Sequence, residues 1–343
     1  MFNLVKALEL ALNDGKCMLS GVQMGAHTGT LADHATYEDV ERAFAAQIHY
    51  FFDRMLACCD VVEKAHGKLL PSPFLSGVIQ DCLEKGTDVT LGGAHYNLSG
   101  IQAIQCANVA DSLAALKALV YDEQRVDRKA LYEALRRDFA GEERLRQTLL
   151  NRAPKYGNDV AWVDEIAHTW IRFFADKLKG HTNARGGIYH AGLYTVSAHV
   201  PMGQNVGATP DGRHARAPLA DGGMSAVYGR DLQGPTALLK SVSRVDSKLG
   251  SNGTLLNMKF LPQLFQSETG ICKFVEFIRA FIRLRISHVQ FNVVNREALL
   301  SAQANPEAFR SLTIRVAGYT AYFTELARDL QNEIIERTSY GDV

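Results

Sequence analysis

Apolar residues in the first 85 positions recur at helical spacing. Phe2, Val5, Leu8 and Leu12 form one stripe, and Phe44, Ile48, Phe51, Phe52 and Met55 form a second that continues into Val61, Val62 and Ala65. Two prolines in "LLPSPFLS" interrupt the pattern, and "SGVIQDCLEKG" predicts a short helix closed by Gly86. After "TLGGAHYNLSG", which reads as a loop, helices return in "ANVADSLAALKALVYDE" and in the charged stretch 127–150. Beyond residue 180 the texture changes. "ARGGIYHAGLYTVSAHVPMG" alternates between glycines, "GATPDGR" carries a Pro-Asp-Gly turn, and "SNGTLLNMKF" sets an Asn-Gly turn before a short apolar run. "HVQFNVV" predicts a buried strand, because Val289, Phe291, Val293 and Val294 are bulky or β-branched. "RVAGYTAYF", 315–323, lies between an extended apolar run and a long amphipathic helix, with Gly318 at a predicted strand-to-helix turn. Strands separated by long helical or loop connections define a mixed α/β chain without repeats, low-complexity tracts or a linker.

Composition narrows the function classes. With 343 residues, 47% hydrophobic and 22% charged, the chain has the make-up of a globular protein with a sizeable core. Thirty-seven basic residues balance 37 acidic ones, which leaves no net field to draw in nucleic acid or an anionic membrane. Lys6, Glu9 and Asp14 break the apolar N-terminal stretch before it could serve as a signal core, and nothing approaches a membrane span. The six cysteines show no CxxC and no regular framework, which suits a reducing cytoplasm.

Most familiar chemical motifs are missing. No GxGxxG follows a strand, no GxxxxGK[ST] phosphate loop occurs, and neither HExxH nor GxSxG is present. His181, His190 and His199 fall nine residues apart, a spacing that neither helix nor strand turns into a metal site. Cys82 with Glu84, and the vicinal pair Cys58 and Cys59, invite a thiol mechanism. Both lie in helical-period segments, where small buried packing residues are the simpler reading.

The C-terminal stretch adds a positive signal. "TIRVAGYTA", 313–321, resembles the signature of the glycyl radical enzymes, the family of pyruvate formate-lyase and of the radical dehydratases and lyases. "GGAHYNLSG", "ANVADSLAALK", "KYGND", "YTVSAHVPMG", "GATPDGR", "SNGTLLNMKF" and "HVQFNVVN" resemble, in the same order, the second half of that family's chains. The resemblance implies an α/β fold forming the second, five-stranded half of a ten-stranded barrel with surrounding helices. It implies a barrel portion over 1–285 and a glycyl radical domain over 286–343. Gly318 would then store the radical, because a radical shared between amide nitrogen and carbonyl needs a planar Cα that a side chain would crowd. Arg315, Val316, Ala317 and Tyr319 would form the radical loop, with a weaker substrate-facing assignment for Tyr194, which reads equally well as a core aromatic.

The implied cofactor is that post-translational glycyl radical, installed by a separate radical S-adenosylmethionine activating enzyme, with no metal expected. The implied reaction is radical elimination that breaks a C–O, C–N or C–S bond, as in the dehydratase and lyase branch. In the family the radical passes to a cysteine thiol, and a glutamate two residues later acts as base. That cysteine loop lies upstream of the matched region, so the chain is expected to be inactive alone and to need the N-terminal half as a partner. Neither Cys82 nor Cys58–Cys59 matches the loop's context. His95, Gln105 and Cys106 depart from the family pattern, altering a pocket wall or merely repacking. A fragment of a formate acetyltransferase (pyruvate formate-lyase) and a radical-bearing repair or interaction subunit are the alternatives, and homo-oligomerisation stays open.

Overall fold

The computed structural model describes residues 1–342, and helices dominate its first half. Thr36 starts the longest helix, Tyr37–Leu69, by a reciprocal cap: its hydroxyl accepts the Asp39 N–H while its own N–H donates to the Asp39 carboxylate. Val40, Ala43, Phe44, Ile48 and Phe52 bury one face of that helix against the helix Leu4–Ala11. Burial stops at Phe52, so Val61 and Val62, read from their spacing as part of the stripe, are exposed. The short helix Gln80–Lys85 ends on Gly86 at φ +58°, as its sequence predicts. The helices Cys106–Ala115 and Ala161–Leu178 pack together at the centre of the core, and a π-helical turn, Leu116–Asp122, extends the first of them.

The strands are short. β1 (Phe2–Asn3), β2 (Ser99–Ile104) and β3 (Tyr189–Gly192) form one parallel sheet in that order. β4 (Asn257–Phe260) pairs in parallel with β5 (Gln290–Val293) on one side and with the C-terminal β8 (Ser339–Tyr340) on the other. A parallel bridge between Leu193 and Thr254 links the end of β3 to the approach to β4, with Leu255 N–H donating to Leu193 O at 3.0 Å. β6 (Thr313–Arg315) and β7 (Thr320–Tyr322) make an antiparallel hairpin. Phe260 anchors β4: its ring centroid lies 5.5 Å from Phe274, 5.8 Å from Phe291 and 5.6 Å from Tyr340.

Three expectations change. The stretch read as a loop ends in β2, hidden because Ser99 and Gly100 lack strand propensity. Gly100 has a packing reason, since a Cβ there would sit 2.2 Å from the Asn252 side chain. In β5 the buried residues are Gln290 and Asn292, while Val293 is 50% exposed. The helix after the hairpin, Arg328–Glu336, has only nine residues and follows a 3₁₀ turn at Phe323–Glu325.

Candidate functional site

Pairing of Arg315 with Thr320, and an N–H bond from Val316 to Tyr319 O at 2.9 Å, leave Ala317 and Gly318 as the hairpin tip. Gly318 takes φ +85° at the second central position, where a tight turn asks for glycine. The residue therefore caps a β-hairpin, where a strand-to-helix turn was expected. An added Cβ would meet only Leu255 Cδ1, at 3.4 Å. Crowding does not dictate glycine here; the backbone angle favours it. Gly318 is exposed, whereas Val316 and Ala317 are buried and Tyr319 rests half-buried on a small core of Val294, Leu299, Ile314, Phe323 and Ile334.

Polar side chains from β4 and β5 grip the tip. The Asn292 amide holds Arg315 at both backbone groups, accepting its N–H at 2.9 Å and donating to its carbonyl at 2.8 Å. Gln290 Oε1 accepts the Gly318 N–H at 3.1 Å and an Arg315 guanidinium N–H at 3.3 Å. Gln290 Nε2 donates to Asn257 Oδ1, and Asn257 Nδ2 donates to Asp221 and, at 3.1 Å, to Val316 O. Arg315 also donates to the Thr320 hydroxyl at 3.2 Å.

A buried ionic group backs this grip. Arg337 donates to Val316 O at 2.9 Å and binds the Glu333 carboxylate through two N–H groups at 2.9 and 2.8 Å. Asp221 lies 3.5 Å from Arg337, and His199 Nε2 is 3.1 Å from Glu333. Burial alone would raise the Glu333 pKa, yet Arg337 and His199 overcome it and hold the carboxyl down to about 2. Burial pushes the Asp221 carboxyl up, opposed by Arg337. Lys259, also buried, closes the last turn of the helix Arg328–Glu336 by donating to Ile334 O and Ile335 O at 3.2 and 3.1 Å. Burial lowers its pKa to about 8.

Tyr194 stands just beyond β3. Its hydroxyl accepts from Gln102 at 2.8 Å and donates to Asn252 Oδ1 at 2.9 Å, and Gln102 reaches the same Asn252 oxygen at 2.8 Å. Leu255, whose N–H donates to the O of neighbouring Leu193, lies beside Gly318. The cysteines behave differently from one another. Cys82 is buried, but Cys58 is exposed, which corrects the packing role read for it. Glu84 accepts from Gln80 at the surface. Gln105 and Cys106 are buried beneath the site, with Cys106 Sγ 3.2 Å from Gly223 O and its thiol pushed up to about 12 by burial, while His95 is exposed.

The sequence thus singled out Gly318 as a turn residue but did not show the hairpin or the side chains that hold it. Gln290, Asn292 and Asn257 sit at alternate strand positions whose apolar neighbours drew the eye, and His199 was set aside by its spacing.

Comparison with known proteins bears on the same span. A family described as Pyruvate formate lyase-like matches residues 1–203, and one described as Glycine radical matches 220–324, a range that contains Gly318. The chain belongs to the glycyl radical enzymes, whose cofactor is a glycyl radical. It is 38% identical over 336 residues to trans-4-hydroxy-L-proline dehydratase of Clostridioides difficile, covering 98% of this chain and 42% of that protein. It is 37% identical over 352 residues to an isethionate sulfite-lyase of Nitratidesulfovibrio vulgaris, covering 98% and 41%. The glycerol-bound B12-independent glycerol dehydratase of Clostridium butyricum superposes with a TM-score of 0.94 at 39% identity, over 99% of this chain and 43% of that one. The chain therefore spans about two fifths of the length of the curated relatives it matches.

Proposed function

We propose that this chain is the radical-storing portion of a glycyl radical dehydratase or lyase, with Gly318 as the residue that carries the radical. The observation that supports this most directly is the hairpin tip: a glycine at φ +85°, open at its Cα, in a loop whose neighbouring carbonyls and N–H groups are fixed by buried side chains. A glycyl radical supplies a stored unpaired electron that can be passed to a thiol and so used to remove hydrogen from a substrate. This chain's residues hold the tip in place. Arg315 and Asn292 fix the entering strand, Arg337 and Asn257 fix the carbonyl two residues before Gly318, and Tyr319 packs the exit.

The parallel bridge at Leu193–Thr254, which joins the end of β3 to the approach to β4, supports reading the sheets β1-β2-β3 and β4-β5 as parts of one five-stranded half-barrel. The small core that gathers residues from 294 to 335 around Val200 of the larger portion supports a radical domain over 286–343 built on 1–285. The names of the relatives, dehydratases and sulfite-lyases, favour radical elimination of a C–O or C–S bond, with Tyr194 facing substrate from the end of β3. The cysteine that abstracts hydrogen and its glutamate base would come from polypeptide outside these 343 residues. The radical S-adenosylmethionine activating enzyme is the second partner, and the cytoplasm the compartment.

Anaerobic incubation with such an activating enzyme and S-adenosylmethionine should produce an organic-radical doublet in the electron paramagnetic resonance spectrum. Admission of air should then cut the chain at Gly318, read by mass spectrometry of the denatured protein. A doublet that persists in Gly318→Ala would place the radical elsewhere.

A further inference from the structure

Gly318 bonds through its N–H to a side chain, and that side chain ends a series of amides. At the far end lies Asp221, 3% exposed, whose carboxylate accepts from Asn257. Asn257 must turn its NH₂ both to that carboxylate and to Val316 O, which can only accept, so its oxygen faces Gln290. Gln290 must turn its oxygen to the Gly318 N–H and the Arg315 guanidinium, which can only donate, so its NH₂ faces Asn257. Groups of fixed role thus set the orientation of both amides from opposite ends, and the two assignments agree.

We propose that Gln290 is a positioning residue for the radical-bearing glycine, and that Asp221, Asn257 and Gln290 form an amide relay that polarises the Gly318 N–H. The inference rests on the assignment of the radical to Gly318. Its physical basis is cooperative: a carboxylate accepting from one amide strengthens the acceptor oxygen of the next, and burial of Asp221, Asn257 and Gln290 keeps water from breaking the series. A strong acceptor on the glycine N–H raises electron donation from that nitrogen toward the Cα. An unpaired electron there is then shared further onto the amide, and less of it stays on carbon. The relay leaves the Cα itself open, as hydrogen removal at that carbon requires.

The test has two arms, one of which needs no radical. In the unactivated full chain, amide exchange at Gly318 should accelerate about fivefold or more in Gln290→Leu, since one hydrogen bond to an otherwise exposed N–H is lost. Exchange at Val316, whose N–H bonds to Tyr319 O, should stay within about twofold, where general loosening of the hairpin would raise both. Gln290→Glu, which accepts but cannot donate to Asn257, should keep Gly318 protected and guards against a folding defect in the leucine variant. In the activated chain, Gln290→Leu should widen the doublet arising from the remaining Cα hydrogen, and Asp221→Asn should widen it less. Unchanged Gly318 exchange, or parallel acceleration at Val316, overturns the positioning role. A doublet identical in all variants overturns the relay. A wild-type chain without any doublet overturns the radical assignment and the relay with it, while the exchange arm still decides whether Gln290 positions Gly318.

Discussion

At the residue scale, Gly318 meets two requirements that are separable. Its backbone angle favours glycine by about 1 kcal/mol over alanine, and the space around the Cα would admit a methyl group with only Leu255 in ordinary contact. Gly318→Ala should therefore fold, losing about 1 kcal/mol in a denaturant titration, and should form no radical. A variant that failed to fold would show that the tip matters to the core, which its exposure argues against. The glycine was legible in "RVAGYTAYF" because its neighbours form a recognisable run. Gln290 was not. In "HVQFNVV" the valines and Phe291 mark a strand, and hydropathy ranks glutamine as the outward residue. Hydrogen bonds to the hairpin backbone reverse that order, so the polar face is the buried one.

At the scale of elements, the hairpin is held by the strand before it and the helix after it. Arg337 ends that helix and reaches back to Val316 O, with Glu333 one turn earlier compensating its charge. Glu333 is depressed to about 2 in the folded chain, below its ordinary value near 4.5. The sign follows from linkage: its contribution to stability is complete above about pH 4.5 and is lost as pH falls toward about 2, because the unfolded chain takes up that proton first. Glu333→Gln should cost about 3 kcal/mol at neutral pH, by leaving the buried Arg337 guanidinium undercompensated. It should also flatten this part of the acid dependence, which urea titrations from pH 5 to pH 2.5 would reveal. Helix periodicity announced an amphipathic helix after the hairpin, but the contact between Glu333 and His199 spans 134 positions and leaves no local trace. The two-residue strands β1 and β8 are hidden for the same reason: their pairing is defined by distant partners, not by their own composition.

Across the whole molecule, apolar residues outside the core collect where the long helix ends. Leu69, Leu70, Phe74, Leu75 and Val78 are all exposed, Phe74 to 90%. Side chains of this size crowded within ten positions favour association. Phe74→Ser combined with Leu70→Ser should lower self-association of the purified chain, followed by light scattering against concentration. Unchanged scattering would direct attention to other exposed surfaces. Fold class was legible from the change of texture near residue 180, because helical spacing and glycine-punctuated alternation are local signals. The order of strands was not, since the bridge at Leu193–Thr254 joins segments that share no sequence pattern.

β4 receives β5 along one edge and β8 along the other, so everything from Val294 to Thr338 departs from and returns to a single strand. On the proposed radical role of Gly318, severing the backbone there would leave the distal piece docked through Phe323, Ile334, the contacts of Glu333 with His199 and of Arg337 with Asp221 and Val316 O, and Tyr340. An oxygen-damaged molecule would then look whole by size exclusion and broken only in denaturant. Under the proposed role, loss of the radical after aeration would thus precede any loss of shape, and the nicked chain would keep the surfaces of the intact one.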